Sequence, residues 1–337
     1  MRRRAVCKRL LLSRGLVLRI ALRRALPIAL LLLAGTAHAQ QRPDADYQPQ
    51  VAEPSHARGS GPQVCVDEAH HNFHRLDGGF GAFGRLLAAD GYPVRALTQA
   101  ASAASLQGCA LLVVANAQPD AGSWDDYPYP TPSAFDDAEV EILRGWVEAG
   151  GSLLLLADHM PLAGAAAALA QAFGFWFTDG FAVRGFKDRA DGEAAFGEPQ
   201  LFTRAASTLA DHPVTRGRGA QDRIERVRGF IGQAMHIPAQ ARAVLTLPAG
   251  FVSLMPRRAW QFTPLTPVVP VGGWSQGATL ELGRGRFAAF GEAGLFTAQR
   301  SGPDARPMGL HAPLAEDNAR FVSNLVRWLT KAARPSH

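Results

Sequence analysis

The 337-residue chain carries 35 Lys and Arg against 29 Asp and Glu, a formal net charge of +6. Nine of the basic residues and none of the acidic ones fall within residues 1–39, so the remainder holds 26 basic and 29 acidic residues, net −3. The basic excess belongs to the N-terminus, which excludes nucleic acid and anionic membrane surfaces as partners of the folded part.

Arg2, Arg3, Arg4, Lys8, Arg9, Arg14, Arg19, Arg23 and Arg24 precede an apolar run at 25–33, and Ala37-His38-Ala39 supplies the small residues an exporting peptidase reads. Residues 1–39 are expected to be a cleaved secretory signal peptide. The apolar run is shorter than the roughly 20 residues of a membrane span. Export to the periplasm or medium is therefore expected, with no span left after cleavage; an uncleaved anchor is the alternative. Residues 40–61, rich in Pro, Gln, Ser, Gly and Ala, are expected to be a disordered linker. A single α/β domain is expected over 62–332, with a tail at 333–337.

Along that domain, a first strand is expected at 63–66. A helix is expected at 79–89, with Phe80, Phe83, Leu86 and Leu87 on one face and Gly91 after its end. A strand at 92–97, a short helix at 101–106 and a wholly apolar strand at 109–115 come next. A long loop occupies 117–133. Asp136 and Glu139 match a capping box for a helix burying Val140, Leu143, Trp146 and Val147. The apolar strand 152–157 ends in Asp158-His159-Met160-Pro161, a sharp junction into an Ala-rich helix running to Phe173. Residues 175–260 carry no clear period, and 183–200 is either a lid or a loop. A hairpin is expected from strands 273–282 and 286–290, and a last helix begins near Ala315. Continuous apolar strands alternating with helices predict a flavodoxin-like α/β fold: a mostly parallel sheet, helices on both faces, and an antiparallel hairpin late in the chain.

After removal of Cys7 with the signal, Cys65 and Cys109 remain. Export permits a disulfide. If the two strands are parallel neighbours, however, the sulfurs are offset by on the order of 10 Å at ~3.3 Å per residue. Two buried free thiols are therefore expected.

The densest polar stretch is Asp67-Glu68-Ala69-His70-His71-Asn72-Phe73-His74, directly after Val64-Cys65-Val66. Unpartnered ions cost several kcal/mol to bury, so these groups must sit at a wet edge, pair, or bind something. Other strands also end in polar groups: Asn116, Asp158 with His159, and Glu292. In open parallel α/β sheets ligands bind beyond the carboxyl ends of the strands, so these separated groups are expected to share one site.

Asp67-Glu68-Ala69-His70 with Asn72 and His74, then Trp146 to Gly151 leading into His159, carry a resemblance. Gly283-Arg284-Gly285-Arg286-Phe287 leading to Glu292, and Asp317-Asn318, complete it. The region resembles the class I glutamine amidotransferase-like superfamily, and within it bacterial families of unknown function beside the ThuA-like (trehalose-utilisation) proteins. The resemblance implies the fold more specifically than an activity. In the amidotransferases a nucleophilic Cys stands at the junction that here reads Asp158-His159-Met160, and the His-x-Glu partner is absent, with Glu292 alone near that strand end. Glutaminase chemistry is not expected.

Three uses of such a site are open. Asp67, His70 and His74, with the neighbouring carboxylates, offer mixed ligands for zinc or manganese. Metal-free catalysis would use Glu68, Glu292 and Asp158 as acid or base and His159 as proton shuttle, with Asn72, Asn116 and His71 holding substrate. The third use is binding of a small or saccharide-like ligand or an envelope partner without chemistry, aided by Trp124, Tyr127 and Tyr129. The expectation is a hydrolase acting on a small polar substrate, with a non-catalytic binding module as the alternative.

Overall fold

The computed structural model describes residues 41–122, 127, 129–184 and 199–331. The expected signal at 1–39, the tail at 333–337, Trp124 and most of 183–200 lie outside the described residues. Among the described residues no helix is long and apolar enough to cross a membrane.

In chain order the elements are β1 (Arg42–Pro43), β2 (Val64–Asp67), α1 (Gly81–Ala89), β3 (Val94–Leu97), β4 (Leu111–Ala115), α2 (Asp137–Glu148) and β5 (Ser152–Leu156). Then come α3 (Leu162–Ala165), α4 (Ala167–Ala172), β6 (Trp176–Phe177), β7 (Phe181–Arg184), β8 (Gln200–Thr203), α5 (Pro213–Arg216), β9 (Arg226–Gly229) and β10 (Met235–His236). The chain closes with β11 (Arg242–Thr246), β12 (Phe251–Leu254), β13 (Val268–Pro270), β14 (Ser275–Leu282), β15 (Gly285–Phe290), β16 (Ala298–Ser301), β17 (Arg306–Gly309) and α6 (Asn318–Leu329).

The fold is mixed α/β. Its nine-stranded sheet has the order β3-β2-β4-β5-β15-β14-β10-β6, with β11 also on β14. The five strands from β3 to β15 run parallel. From β14 onward the pairing is antiparallel, so the parallel character stops at the expected hairpin. Smaller sheets β7-β12-β13, β8-β9 and β1-β16-β17 complete the sheets of the described residues. Most of these lie where hydrophobic periodicity is silent.

Alternate residues of the central strands feed separate apolar clusters. Val64, Val66, Leu111, Val113, Leu154, Leu156 and Phe290 pack with Phe83 and Leu87 of α1 and Phe321 and Leu325 of α6. Cys65, Leu112, Val114, Leu153, Leu155 and Phe287 pack with Leu143 and Val147 of α2 and Leu169 of α4. Burying a Val, Leu or Phe side chain stabilises by about 1.5–3 kcal/mol, and the period of two explains why these strands read as continuous apolar runs.

Several expectations are corrected. Residues 101–106 form turns, because Ser102 and Ser105 side chains bond each other and the local amides in place of a helix. The Ala-rich helix is broken between Ala165 and Ala167. The 40–61 stretch is no free linker in its described part. Asp44 pairs with Arg300 and His311, Ser55 N donates to Asp90, and Arg327 pairs with Asp90 and donates to Ser55. Ionic docking of this kind leaves no hydrophobic period to read.

Cys65 and Cys109 are not free thiols. They form a disulfide with Cα atoms 5.8 Å apart. The expected offset assumes Cys109 extended along its strand, but β4 begins only at Leu111. Cys109 lies in the preceding turn, its amide bonded to Leu106 O after Gly108 at φ +80°.

Candidate functional site

Register brings the strand ends level. Ala115 pairs with Leu156 and Leu156 with Phe290, so Asn116, Asp158 and Glu292 come next at one edge of the sheet. Asn116, at φ 49°, donates through Nδ2 to Asp158 Oδ2 at 2.8 Å, and its Oδ1 accepts from Asp158 N at 2.9 Å. The Ala293 amide donates to Asp158 Oδ1. Asp158 is part-exposed, whereas Glu292 behind it is 2% exposed and accepts from Leu295 N at 3.0 Å. Burial pushes Asp158 up to about 6, against the opposing bonds from Ala293 and Asn116. Burial, then repulsion from Asp158, holds Glu292 well above the usual carboxylate range. Such a pair shares one negative charge near neutrality.

His159 leaves the same junction but points into an aromatic cluster. Its ring stacks on Phe181 at 4.3 Å and meets Trp260 edge-on at 4.8 Å. Nδ1–H donates to Met160 O at 2.8 Å. Burial lowers its pKa to about 4, so the ring is neutral near pH 7.

The stretch after β2 forms a second group of contacts. Asp67 accepts from His70 Nδ1 at 2.9 Å, and His70 Nε2 donates to Glu139 at 2.9 Å. Burial alone would lower His70, but the hydrogen bonds to Asp67 and Glu139 outweigh it and raise the pKa to about 10. His70 is thus an imidazolium clamped between two carboxylates. The capping-box pattern assigns Glu139 to its own helix end. The forward half of that box exists, Asp136 accepting from Glu139 N at 2.7 Å. The Glu139 side chain instead accepts from Ala101 N and His70. Only its position on the buried face of α2 hints at this role.

This clamp removes the expected metal ligands. Both His70 nitrogens are taken. His74 stacks on Phe80 at 5.3 Å, and its buried Nδ1 has no hydrogen-bond partner. It lies 2.3 Å from where a Cβ on Gly79 would be. Among the described residues no three His, Cys, Asp or Glu side chains converge to hold a metal ion. Zinc or manganese ligation by Asp67, His70 and His74 does not fit this geometry.

The remaining candidates are accounted for locally. Glu68 accepts from Leu76 N at 2.8 Å and pairs with Arg75 at 2.9 Å, holding the following turn. Asn72 donates to Asp67 and Ala115 O and accepts from His70 N, so its amide faces inward rather than toward substrate. Asn116 likewise orients Asp158. His71 is exposed at φ 47°, its carbonyl accepting from Gln118 Nε2. Tyr127 is buried with its hydroxyl on Asp120, whereas Tyr129 is exposed. A cleft of about 360 Å3 lined by Thr203, Ala205, Glu225, Arg226, Glu316 and Asp317 contains none of these groups.

No known protein family and no curated protein matches the chain. Among solved structures it is similar to the N-terminal domain of mmIFT52, at 14% identity and TM-score 0.54, covering 81% of this chain and 99% of that one. That likeness shows a shared fold. It is also matched to putative ThuA-like proteins from Bacteroides uniformis and Parabacteroides merdae. The first has 12% identity and TM-score 0.41 over 83% of this chain and 94% of that one. The second has 11% identity and TM-score 0.42 over 82% and 93%.

Proposed function

We propose that this chain is an exported protein of the class I glutamine amidotransferase-like kind, with a flavodoxin-like core and an acid–base hydrolase site in place of a glutaminase. The observation that carries the reading is Asp158, held by Asn116 at the end of its strand, with buried Glu292 at the end of the neighbouring strand and its ionisation opposed by Asp158. Asp158, the part-exposed member, takes the proton of an attacking water. Glu292 keeps its own proton and holds the charge of the pair at one. His159 turns from the same junction into the cluster of Phe181 and Trp260. Among the described residues the cysteine nucleophile of amidotransferases has no counterpart, since Cys65 and Cys109 are joined to each other. The same disulfide fits export, because such bonds persist in oxidising compartments. The two-sided apolar core fits the flavodoxin-like organisation. The substrate class, small and polar or carbohydrate-derived, rests on the resemblance to ThuA-like proteins.

A turnover screen over chromogenic glycosides and esters tests this. Asp158→Asn and Glu292→Gln should each lower turnover by roughly 10²–10⁴-fold. The burial of Glu292 favours a second reading, a binding module without chemistry. Turnover retained in both variants sinks the acid–base site. A wild type inert across the panel yet still binding a sugar or ester from it supports the module.

A further inference from the structure

One end of the nine-stranded sheet is β6, and a row of rings crosses it there. Trp176 of β6 is paired in register with His236 of β10, and the adjoining pair, Met235 with Ser275, sets Trp274 beside His236. Directly opposed residues project to the same side of a sheet, so the three rings share one face. Their chain neighbours Phe177, Met235 and Ser275 alternate with them and are buried. Trp176 is 63% exposed and His236 is exposed, whereas Trp274 is half-buried against the core. The His236 ring rests on Trp274, with centroids 3.6 Å apart.

The chemistry around the row narrows what it suits. Residues 174–178, 234–238 and 272–276 hold no Asp, Glu, Lys or Arg, so a charged ligand finds no counter-ion on these three segments. Among the described residues no hydrogen bond takes either nitrogen of His236 or the indole N–H of Trp176 or Trp274. An apolar protein face laid over the row would bury those groups unpaired, which opposes binding. β6 is two residues long, and an edge that short gives a second copy of the chain little to pair with. A pyranose meets both demands. Its C–H face packs on the electron-rich face of an indole, and its hydroxyls bond the imidazole nitrogens and accept from indole N–H. Two strand spacings, roughly 10 Å, separate Trp176 from Trp274, room for two rings of an extended sugar chain.

We propose that Trp176 and His236 form a surface site for a neutral β-1,4-linked glycan. Trp176 stacks under one pyranose ring, and His236, propped on Trp274, bonds the hydroxyls of the next. Trp176 has only two side-chain torsions and His236 is already supported, so little freedom is lost on binding. The site uses none of the residues of the acid–base reading and stands without it.

Cellohexaose and chitohexaose, both neutral and β-1,4-linked, are the probes, titrated by calorimetry and by tryptophan fluorescence. At least one should bind the wild type. Trp176→Ala should weaken that binding about tenfold, and Trp176→Phe should keep most of it. His236→Ala should weaken it about fivefold, the factor of one ordinary hydrogen bond. Thermal melts check that these exposed positions leave the fold intact. The site is overturned if neither hexasaccharide binds at millimolar concentration, or if wild type and Trp176→Ala bind equally well. It is also overturned by a wild-type dimer in sedimentation that Trp176→Ala dissolves, or by wild-type binding to phosphatidylcholine vesicles that the variant loses, since either gives the row a different occupant.

Discussion

Replacing Cys65 and Cys109 together by alanine removes a link between positions 44 residues apart in sequence. A cross-link of that span restricts the unfolded chain by about 4 kcal/mol at 25 °C. The link staples β2, which pairs with both β3 and β4, to the turn that leads into β4. In a domain of this size the loss lowers the melting temperature by roughly 8 °C. Urea unfolding monitored by tryptophan fluorescence, with and without reductant, measures it. Reduction should bring the wild type to within about 1 kcal/mol of the double variant, the residual being the small side-chain truncation. Alkylation of denatured, unreduced protein decides the premise. If Cys65 and Cys109 both take up alkylating agent, or if reductant leaves the wild-type midpoint where it was, the stapled structure is wrong.

His70→Gln leaves Asp67 and Glu139 without the cation between them and should cost about 3–5 kcal/mol. Because folding raises His70 from 6.5 to about 10, its stabilisation is complete below pH 6.5 and is lost as pH rises toward 10. That alkaline slope should vanish in the variant, and its survival would remove His70 as the cause. The acid limb has the opposite origin. His74 and His159 are buried neutral with pKa values lowered to about 4, so stability falls as pH drops from 6.5 to 4, and His74→Phe should flatten part of that fall in thermal melts. Gly79→Ala drives a methyl to 2.3 Å from His74 Nδ1 and should cost about 1–3 kcal/mol. Combining it with His74→Ala should relieve most of that crowding, and a fully additive double variant contradicts the contact.

The course of the central strands, and the polar groups placed at their ends, were legible in the amino-acid order. β2, β4, β5 and the β14–β15 hairpin lie within two residues of their expected bounds, because buried strands need unbroken apolar runs and chemistry-bearing groups are tolerated only where those runs stop. The edge shared by Asn116, Asp158 and Glu292 could therefore be read in advance. Which polar groups pair there could not. His70 and Glu139 meet across 69 residues of sequence, and Cys109 turns back onto Cys65 across 44. Neither contact leaves a period or a spacing. The arm at 41–61 docks through Asp44 and Ser55, and the described residues between 175 and 270 form short strands, some paired with partners far along the chain, as β7 is with β12. These contacts emerge only in the folded chain, and with them the outcome that His70 and Glu68 hold the loop while Asp158 and Glu292 stand at neighbouring strand ends. Hydrophobic burial writes a local pattern into the chain, whereas a charged contact depends on a partner that only folding brings near.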